Sequence, residues 1–364
     1  MIKEKEITIY DIASKLNISI ATVSRALKGD PVVSRKTRKK VLQVAEEMSY
    51  RSNYFAKNLR SQKTNTIGVI VGNLTSNFQA SVISGIENVA NKYGYNLIIC
   101  QSSEQYAKEV EGAKTMFNGR VDGLLVSLAF DTKNLDHFEP FFKKEIPLFF
   151  FDRTMPHTKT ISILIDNVKA AYIGTNHLIE QGCKRIIHIT APSKQNVYTD
   201  RLRGYRQALK EHKIAFNKNN VIIGHLGFSD GAEAAEKILK MKPLPDGVFV
   251  ANDNCAVGCM LALKKASIKI PEDIAFVGFN NDPVSEVIEP NLTTINYPGY
   301  EMGEVTANNL INHLNGTSTI ESTNTIILRS EFIIRESSQK KKMKSTSSIH
   351  KEIGNKKEKS NGKK

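Results

Sequence analysis

Between Thr8 and Arg25 the chain gathers short hydroxyls, one phenol and one arginine at spacings that would let a single helix read a polyanion and its bases. In Ser19-Ile20-Ala21-Thr22-Val23-Ser24-Arg25-Ala26-Leu27, apolar Val23 and Leu27 fall on one side of a helix, which leaves Ile20, Ala21 and Arg25 on the other. A guanidinium on that outer face can hold guanine by two parallel hydrogen bonds, and Ile20 or Ala21 can lie against a thymine methyl. Ser19, Thr22 and Ser24, together with Thr8 and Tyr10 at the start of a preceding helix, suit phosphate oxygens. These residues would form a duplex-reading face if a scaffold of small helices presents them. Taken alone, the pattern is also compatible with any three capped helices that carry surface Lys and Arg.

The elements that would position this face follow from hydroxyl caps and helical spacing. A first helix is expected over residues 9–16, with Thr8 and Asp11 forming a capping box and Asn17 a left-handed stop. A second starts after Ser19 and ends at Gly29-Asp30-Pro31, and a third starts after Ser34 with Val41, Leu42, Ala45 and Met48 on its apolar side. Residues 49–66 are a polar connector with one short helix expected at 54–59. From residue 66 on, ten strand-sized apolar runs, the first at 67–71 and the last at 293–296, alternate with amphipathic helical stretches. Such alternation predicts parallel sheets covered on both faces, and the length of the stretch predicts two lobes with a cleft between them. The stretch from Glu336 is rich in Lys, Ser and Asn and reads as a disordered tail. The expected domains are thus a head at 1–50, a hinge and linker at 51–65, a two-lobed body at 66–335 and a basic tail at 336–364.

The net charge of +14 is unevenly spread over the 364 residues. Residues 1–65 hold 14 Lys or Arg against 6 Asp or Glu, residues 336–364 hold 10 against 3, and the stretch between them holds 27 against 28. A basic head on a neutral body points to dedicated polyanion binding rather than to general surface adhesion. The tail would add nonspecific DNA attraction or solubility. Cys100, Cys183, Cys255 and Cys259 are too few and too scattered for a disulfide framework. Neither they nor the eight His show zinc-like spacing, so no metal or cofactor is expected. No dinucleotide-binding glycine loop, P-loop or nucleophile elbow follows any expected strand, which argues against an enzyme. Apolar runs fall far short of the roughly 20 residues of a membrane helix. The charged opening Met1-Ile2-Lys3-Glu4-Lys5-Glu6 lacks a secretory core, so a cytoplasmic protein is expected.

The stretch TIYDIASKLNISIATVSRALKGDPVVSRKTRKKVLQVAEEMSYRSNYFAKNLRSQKTNTIGVIV closely resembles the lactose-repressor-like family of bacterial transcriptional regulators, and the resemblance continues to about Arg335. It implies a small all-α helix-turn-helix head plus an α/β body of two Rossmann-like lobes, like that of periplasmic sugar-binding proteins. It also implies a homodimer on a near-palindromic double-stranded DNA operator, probed from both grooves. In that family the connector holds a hinge helix that enters the minor groove and spreads the central base step with leucines. The matching residues here are Ala56, Leu59 and Arg60, with Tyr50 and Asn53 as contacts to the DNA backbone. Leu59 is the wedge by this reading and an interdomain packing residue by the alternative.

The resemblance further places a small-molecule effector between the lobes. Arg201 in DRLRGYRQAL and Asp253 in VANDNCAVG match ligand-holding positions of the family, and Phe78 after the first strand would stack on a ring face. Asp152 and Arg153 in FFFDR and Asp166 in LIDN read better as an ion pair and a helix cap. The sequence departs from the family pattern twice. Ser76-Asn77-Phe78 stands where Asn-Pro-Phe is frequent, and Asn280-Asn281 stands where paired carboxylates are common, which removes negative charge from a ligand contact at Asn280. A sugar or polyol is the expected effector, with a nucleobase as the alternative. A repressor is expected, and the sign of the effector's action stays open. A plain small-molecule binder and a nonspecific nucleoid protein are the competing classes.

Overall fold

The computed structural model describes residues 7–50, 63–191, 195–317 and 324–340. The expected hinge residues Asn53, Ala56, Leu59 and Arg60 lie outside the described residues. The chain divides into two compact units, Met1–Thr64 and Asn65–Lys364.

The first unit holds α1 (Ile9–Leu16), α2 (Ile20–Lys28) and α3 (Arg35–Glu47), each opened by a hydroxyl residue. Thr8 and Asp11 exchange a reciprocal capping box, with the Thr8 N–H donating to Asp11 Oδ2 at 2.7 Å. Ser19 Oγ accepts from the Thr22 N–H and Ser34 Oγ from the Thr37 N–H, both at 3.1 Å. Asn17 and Gly29 end the first two helices at φ 51° and 78°, the left-handed region that a short polar side chain or a missing Cβ tolerates. Ile12, Val23, Ala26, Val41, Val44 and Ala45 form the core. Two positions differ from the reading by large apolar residues. Ala26 takes the core place with Leu27 only partly buried beside it, and Leu42 is 49% exposed while Val44 is buried.

In the second unit, β1 (Thr66–Val71), β2 (Asn96–Gln101), β3 (Gly123–Val126), β4 (Leu148–Phe151), β5 (Thr160–Ile165) and β11 (Thr325–Leu328) form one parallel sheet in the order β11-β5-β4-β3-β1-β2. A second parallel sheet has the order β7-β6-β8-β9, from β6 (Ile186–Thr190), β7 (Val221–Ile223), β8 (Gly247–Val250) and β9 (Ala275–Val277). Bridges from Val277 to Thr293 and from Asn280 to Asn296 attach β10 (Thr294–Asn296), which pairs antiparallel with β12 (Glu331–Ile333). Strands such as β3, β4, β6 and β8 are buried along their whole length, as helices on both faces of a parallel sheet require.

The covering helices are α4 (Asn77–Lys92), α5 (Tyr106–Asn118), α6 (Glu139–Lys143), α7 (Asn167–Glu180), α8 (Asn196–Glu211), α9 (Phe228–Leu239), α10 (Asp253–Lys265), α11 (Val284–Val287) and α12 (Gly299–Leu314). β5 belongs to the first sheet but α7 packs with α8 on the second; β10 belongs to the second but α12 packs on α4 of the first; β11 and β12 again fall on opposite sides. The chain thus passes between the lobes three times, and the strand ends of both sheets meet at those passages. Helices α4 and α12 touch backbone to backbone: a Cβ on Gly85 would lie 2.1 Å from Tyr300 O, and one on Gly303 would lie 2.0 Å from Val82 O. Gly85→Ala is therefore expected to lower unfolding stability by about 1–3 kcal/mol or more. An unchanged urea midpoint would contradict that close approach.

All ten expected strands are present. The last two, β11 and β12, and the helices α5, α6 and α11 go beyond the expectation. The C-terminal boundary also differs from it. Residues 336–340, expected to open a disordered tail, pack on the second lobe with Ser337 and Ser338 fully buried. Ser337 Oγ donates to Phe276 O at 2.9 Å, Ser338 Oγ lies 2.8 Å from His177 Nε2, and Lys340 Nζ donates to Asp246 O at 2.8 Å. Polar composition suggested a solvated segment, but these small hydroxyls satisfy buried groups of the sheet edge. Residues 341–364 lie outside the described residues. Among the described residues, no helix is long and apolar enough to cross a membrane.

Candidate DNA-reading head and effector cleft

On the head, Tyr10 is 65% and Ile20 is 39% exposed, and Thr8, Ser19, Ala21 and Arg25 are exposed as well. Thr22 and Ser24 are half-buried. Ala21 and Arg25 stand one helical turn apart on α2, in the same row. The exposed Arg25 has no hydrogen-bond or ion-pair partner among the described residues, so its guanidinium is not committed to the fold. The hydroxyls of Thr8 and Ser19 are engaged locally, with Asp11 Oδ2 at 2.6 Å and Thr22 Oγ1 at 2.8 Å. They fix the helix starts and so aim the N–H groups there. Tyr50 packs against the head core, and burial raises its phenol pKa.

In the body, Phe78 at the first turn of α4 stacks on Tyr297 with ring centroids 4.2 Å apart. Tyr297 follows β10, and its hydroxyl donates to Asp152 Oδ1 at 2.9 Å. Arg201 on α8 lays its guanidinium 3.5 Å over the Phe279 ring, donates from Nε to Asn167 Oδ1 at 2.9 Å and from Nη1 to Ala251 O at 2.8 Å. It is 3% exposed and forms no ion pair among the described residues, and burial lowers its pKa. A cation, a carboxylate and aromatic faces are thus brought together from both lobes. Asn280, at φ 119°, follows Phe279 on the same turn and donates its N–H to Ile295 O at 2.9 Å.

Asp253 is placed differently from these. It is fully buried, with Oδ2 accepting from the Asp282 N–H at 2.8 Å and Oδ1 from the Thr294 hydroxyl at 2.7 Å. Both oxygens therefore tie the start of α10 to the turn after β9 and to β10. Burial, with the Asp282 charge nearby, pushes its pKa up to about 7. Asp152 and Arg153 form the structural cluster expected of them: Arg153 Nη2 donates to Glu104 Oε1 at 3.0 Å, and its guanidinium lies 4.7 Å from the Phe130 centroid. Asp166 caps α7, accepting from the Lys169 N–H at 2.9 Å. Sequence reasoning missed Asn167 and Tyr297, whose only signal was a polar residue just beyond a strand end. Among the described residues, no group of three His, Cys, Asp or Glu side chains is placed to hold a metal ion.

The buried carboxylates carry a pH signature. A folded pKa of about 7 for Asp253 means that the folded chain holds this proton more tightly than an unfolded one, whose carboxyl titrates near about 3.9. The ionisation penalty is absent below the unfolded pKa and grows as pH rises towards 7. Buried His188, pushed down to about 4, has the opposite slope: its contribution is lost as pH falls from about 6.5 through 4. Asp282→Asn removes both the charge beside Asp253 and the ionisation of Asp282 itself, whose pKa burial pushes up to about 6, and should flatten the stability decrease between about pH 5 and 7. Urea midpoints of both proteins at the two pH values check this, and an identical difference would contradict it.

A capped three-helix head followed by a two-lobed parallel α/β body defines the helix-turn-helix regulators with a periplasmic-binding-protein-like body. Residues 8–53 match the family model of bacterial regulatory proteins, lacI family, and residues 175–338 match that of the periplasmic binding protein-like domain. Catabolite control protein A of Priestia megaterium is 32% identical over 317 residues, which covers 87% of this chain and 95% of that protein. The structure of the transcriptional regulator CelR with cellobiose is similar with a TM-score of 0.70 and 25% identity, covering 91% of this chain and 100% of that one. The lac repressor dimer bound to operator and the anti-inducer ONPF shares the fold with a TM-score of 0.80 at 23% identity, over 92% of this chain and 99% of that one. The chain belongs to the lacI family of bacterial regulatory proteins. It is a DNA-binding transcriptional regulator of a family made up mostly of repressors with small-molecule effectors, and not an enzyme.

Proposed function

We propose that the chain is a cytoplasmic, homodimeric repressor whose affinity for a near-palindromic operator is set by a sugar or polyol held between the lobes. Each head places α2 in a major-groove half-site, with Arg25 on guanine and Ile20 or Ala21 on a thymine methyl. Paired hinges at Ala56, Leu59 and Arg60 open the central minor groove, and Tyr50 and Asn53 hold the backbone. The observation that carries the effector reading is Arg201, buried flat on Phe279 and beside Asn167, Tyr297 and Asp152. Fixed charged and polar donors next to stacked aromatic rings suit a small ring rich in hydroxyls. Likeness to a regulator solved with cellobiose supports the same class.

A thermal-shift screen of sugars, polyols, sugar phosphates and nucleobases tests the effector class, because a ligand of the native state raises the melting temperature. A sugar or polyol hit is expected, and a nucleobase hit alone would replace that reading. Arg201→Ala should weaken the response to the hit by about tenfold to a hundredfold, as removal of a charged hydrogen-bond donor does. An unaltered response would remove Arg201 from the site.

A further inference from the structure

The lobes also meet through contacts that the effector reading does not use. Gln195, just before α8 on the second lobe, donates from Nε2 to the carbonyls of Ala129 at 3.2 Å and Thr132 at 3.0 Å in the loop after β3 of the first. The neighbouring Asn196 accepts the Thr154 N–H on Oδ1 at 3.0 Å and donates from Nδ2 to Asp152 O at 3.1 Å, which engages the loop after β4. One turn further, Tyr198 packs edge-on against Phe130 with centroids 5.6 Å apart. Two adjacent amide side chains and one ring thus grip two separate loops of the opposite lobe.

The receiving loop is itself built for this. Glu109 on α5 is fully buried and accepts from the Ala129 N–H at 2.6 Å and the Thr132 hydroxyl at 2.9 Å, with His137 Nε2 at 3.0 Å from its carboxylate. A buried carboxylate fixes the two residues whose carbonyls Gln195 grips, so the socket is preformed and costs little ordering when the lobes meet. We propose that Gln195 and Asn196 form a strap, seated in a socket held by Glu109, that closes the lobes through the chain's own groups and sets the resting balance between open and closed cleft. The strap is a property of the body alone; its effect on DNA binding rests on the effector-cleft reading above.

Gln195→Glu tests this with little change in volume, because it puts a carboxylate against two carbonyl acceptors in place of a shared donor. Hydrogen exchange on the full chain should then speed up by about tenfold or more in the segments around 127–132 and 152–154, while β8 keeps its protection. Asn196→Ala, which removes the second grip, should act on 152–154 in the same direction. Unchanged exchange in both segments would overturn the strap, and so would an equal increase in β8, since Gln195 would then merely support the fold. If the segments loosen while affinity for selected DNA stays the same, the strap stands and the control of DNA binding by the cleft falls.

Discussion

A dimer carrying Arg25→Ala is expected to bind its selected operator more weakly by about 2–6 kcal/mol, since each of two half-sites loses a bidentate base contact of about 1–3 kcal/mol. Arg25 is exposed on α2 and its side chain has no partner among the described residues, so no described side-chain contact of the head depends on it. Its neighbours Val23 and Ala26 hold the helix in the core and are untouched by the change. The thermal midpoint should therefore stay within experimental error, while preference relaxes at one base pair of each half-site. That combination separates base reading from phosphate contact, whose loss would weaken all sequences alike and reduce the salt dependence. Affinity within about threefold of the parent, with an unchanged sequence preference, would remove Arg25 from the reading face.

Arg153→Leu is expected to cost about 3–5 kcal/mol of unfolding stability, because it strands buried charge rather than removing it. Arg153 is 3% exposed and lies against Phe130, with Glu104 and Asp152 as its ionic partners. Burial opposes its charge, and Glu104 more than offsets this, so its pKa lies above the usual arginine value. With the guanidinium gone, Asp152 keeps, among the described residues, the Tyr297 and Ser127 hydroxyls at 2.9 and 3.3 Å. The double replacement of Arg153 and Glu104 by Leu should recover part of the loss, because one stranded carboxylate then disappears. Urea unfolding of the single and double variants measures both. A cost below about 1 kcal/mol for the single change would show that the cluster is solvated in solution.

The fold is most legible in the sequence where local rules decide the structure. The capping pairs Thr8 with Asp11, and Ser19 with Thr22, mark helix starts without help from distant residues. Continuously apolar strands such as β4 could hardly be anything but buried. Elsewhere tertiary contacts decide. Leu42 is apolar, but α3 turns Val41, Val44 and Ala45 inward instead. β11 is half exposed along its length and exists because Ser162 to Ile165 of β5 offer it a parallel partner far away in sequence. Ser337 and Ser338 look solvated until His177, Phe276 and Thr293 are seen around them.

The site shows the same division. Phe78 and Arg201 are candidates by family position, and the structure adds what surrounds them: Asn167 and Tyr297 come from two different connections between the lobes, and Phe279 from the turn after β9. No spacing rule relates such residues, because their separation along the chain carries no information about distance in space. Asp253 illustrates the converse. Its sequence position suggested a ligand contact, whereas its two oxygens are engaged by Asp282 and Thr294. A carboxylate at a strand end serves equally well to brace the turn beneath a site.

Everything proposed for the head depends on sequence-specific recognition of duplex DNA. The most direct measurement is a competition experiment at physiological salt between the operator selected by the full-length protein and random duplex of equal length. A preference of about a thousandfold or more for the selected sequence is expected. Equal binding of the two duplexes would contradict it and leave only a basic head that coats DNA.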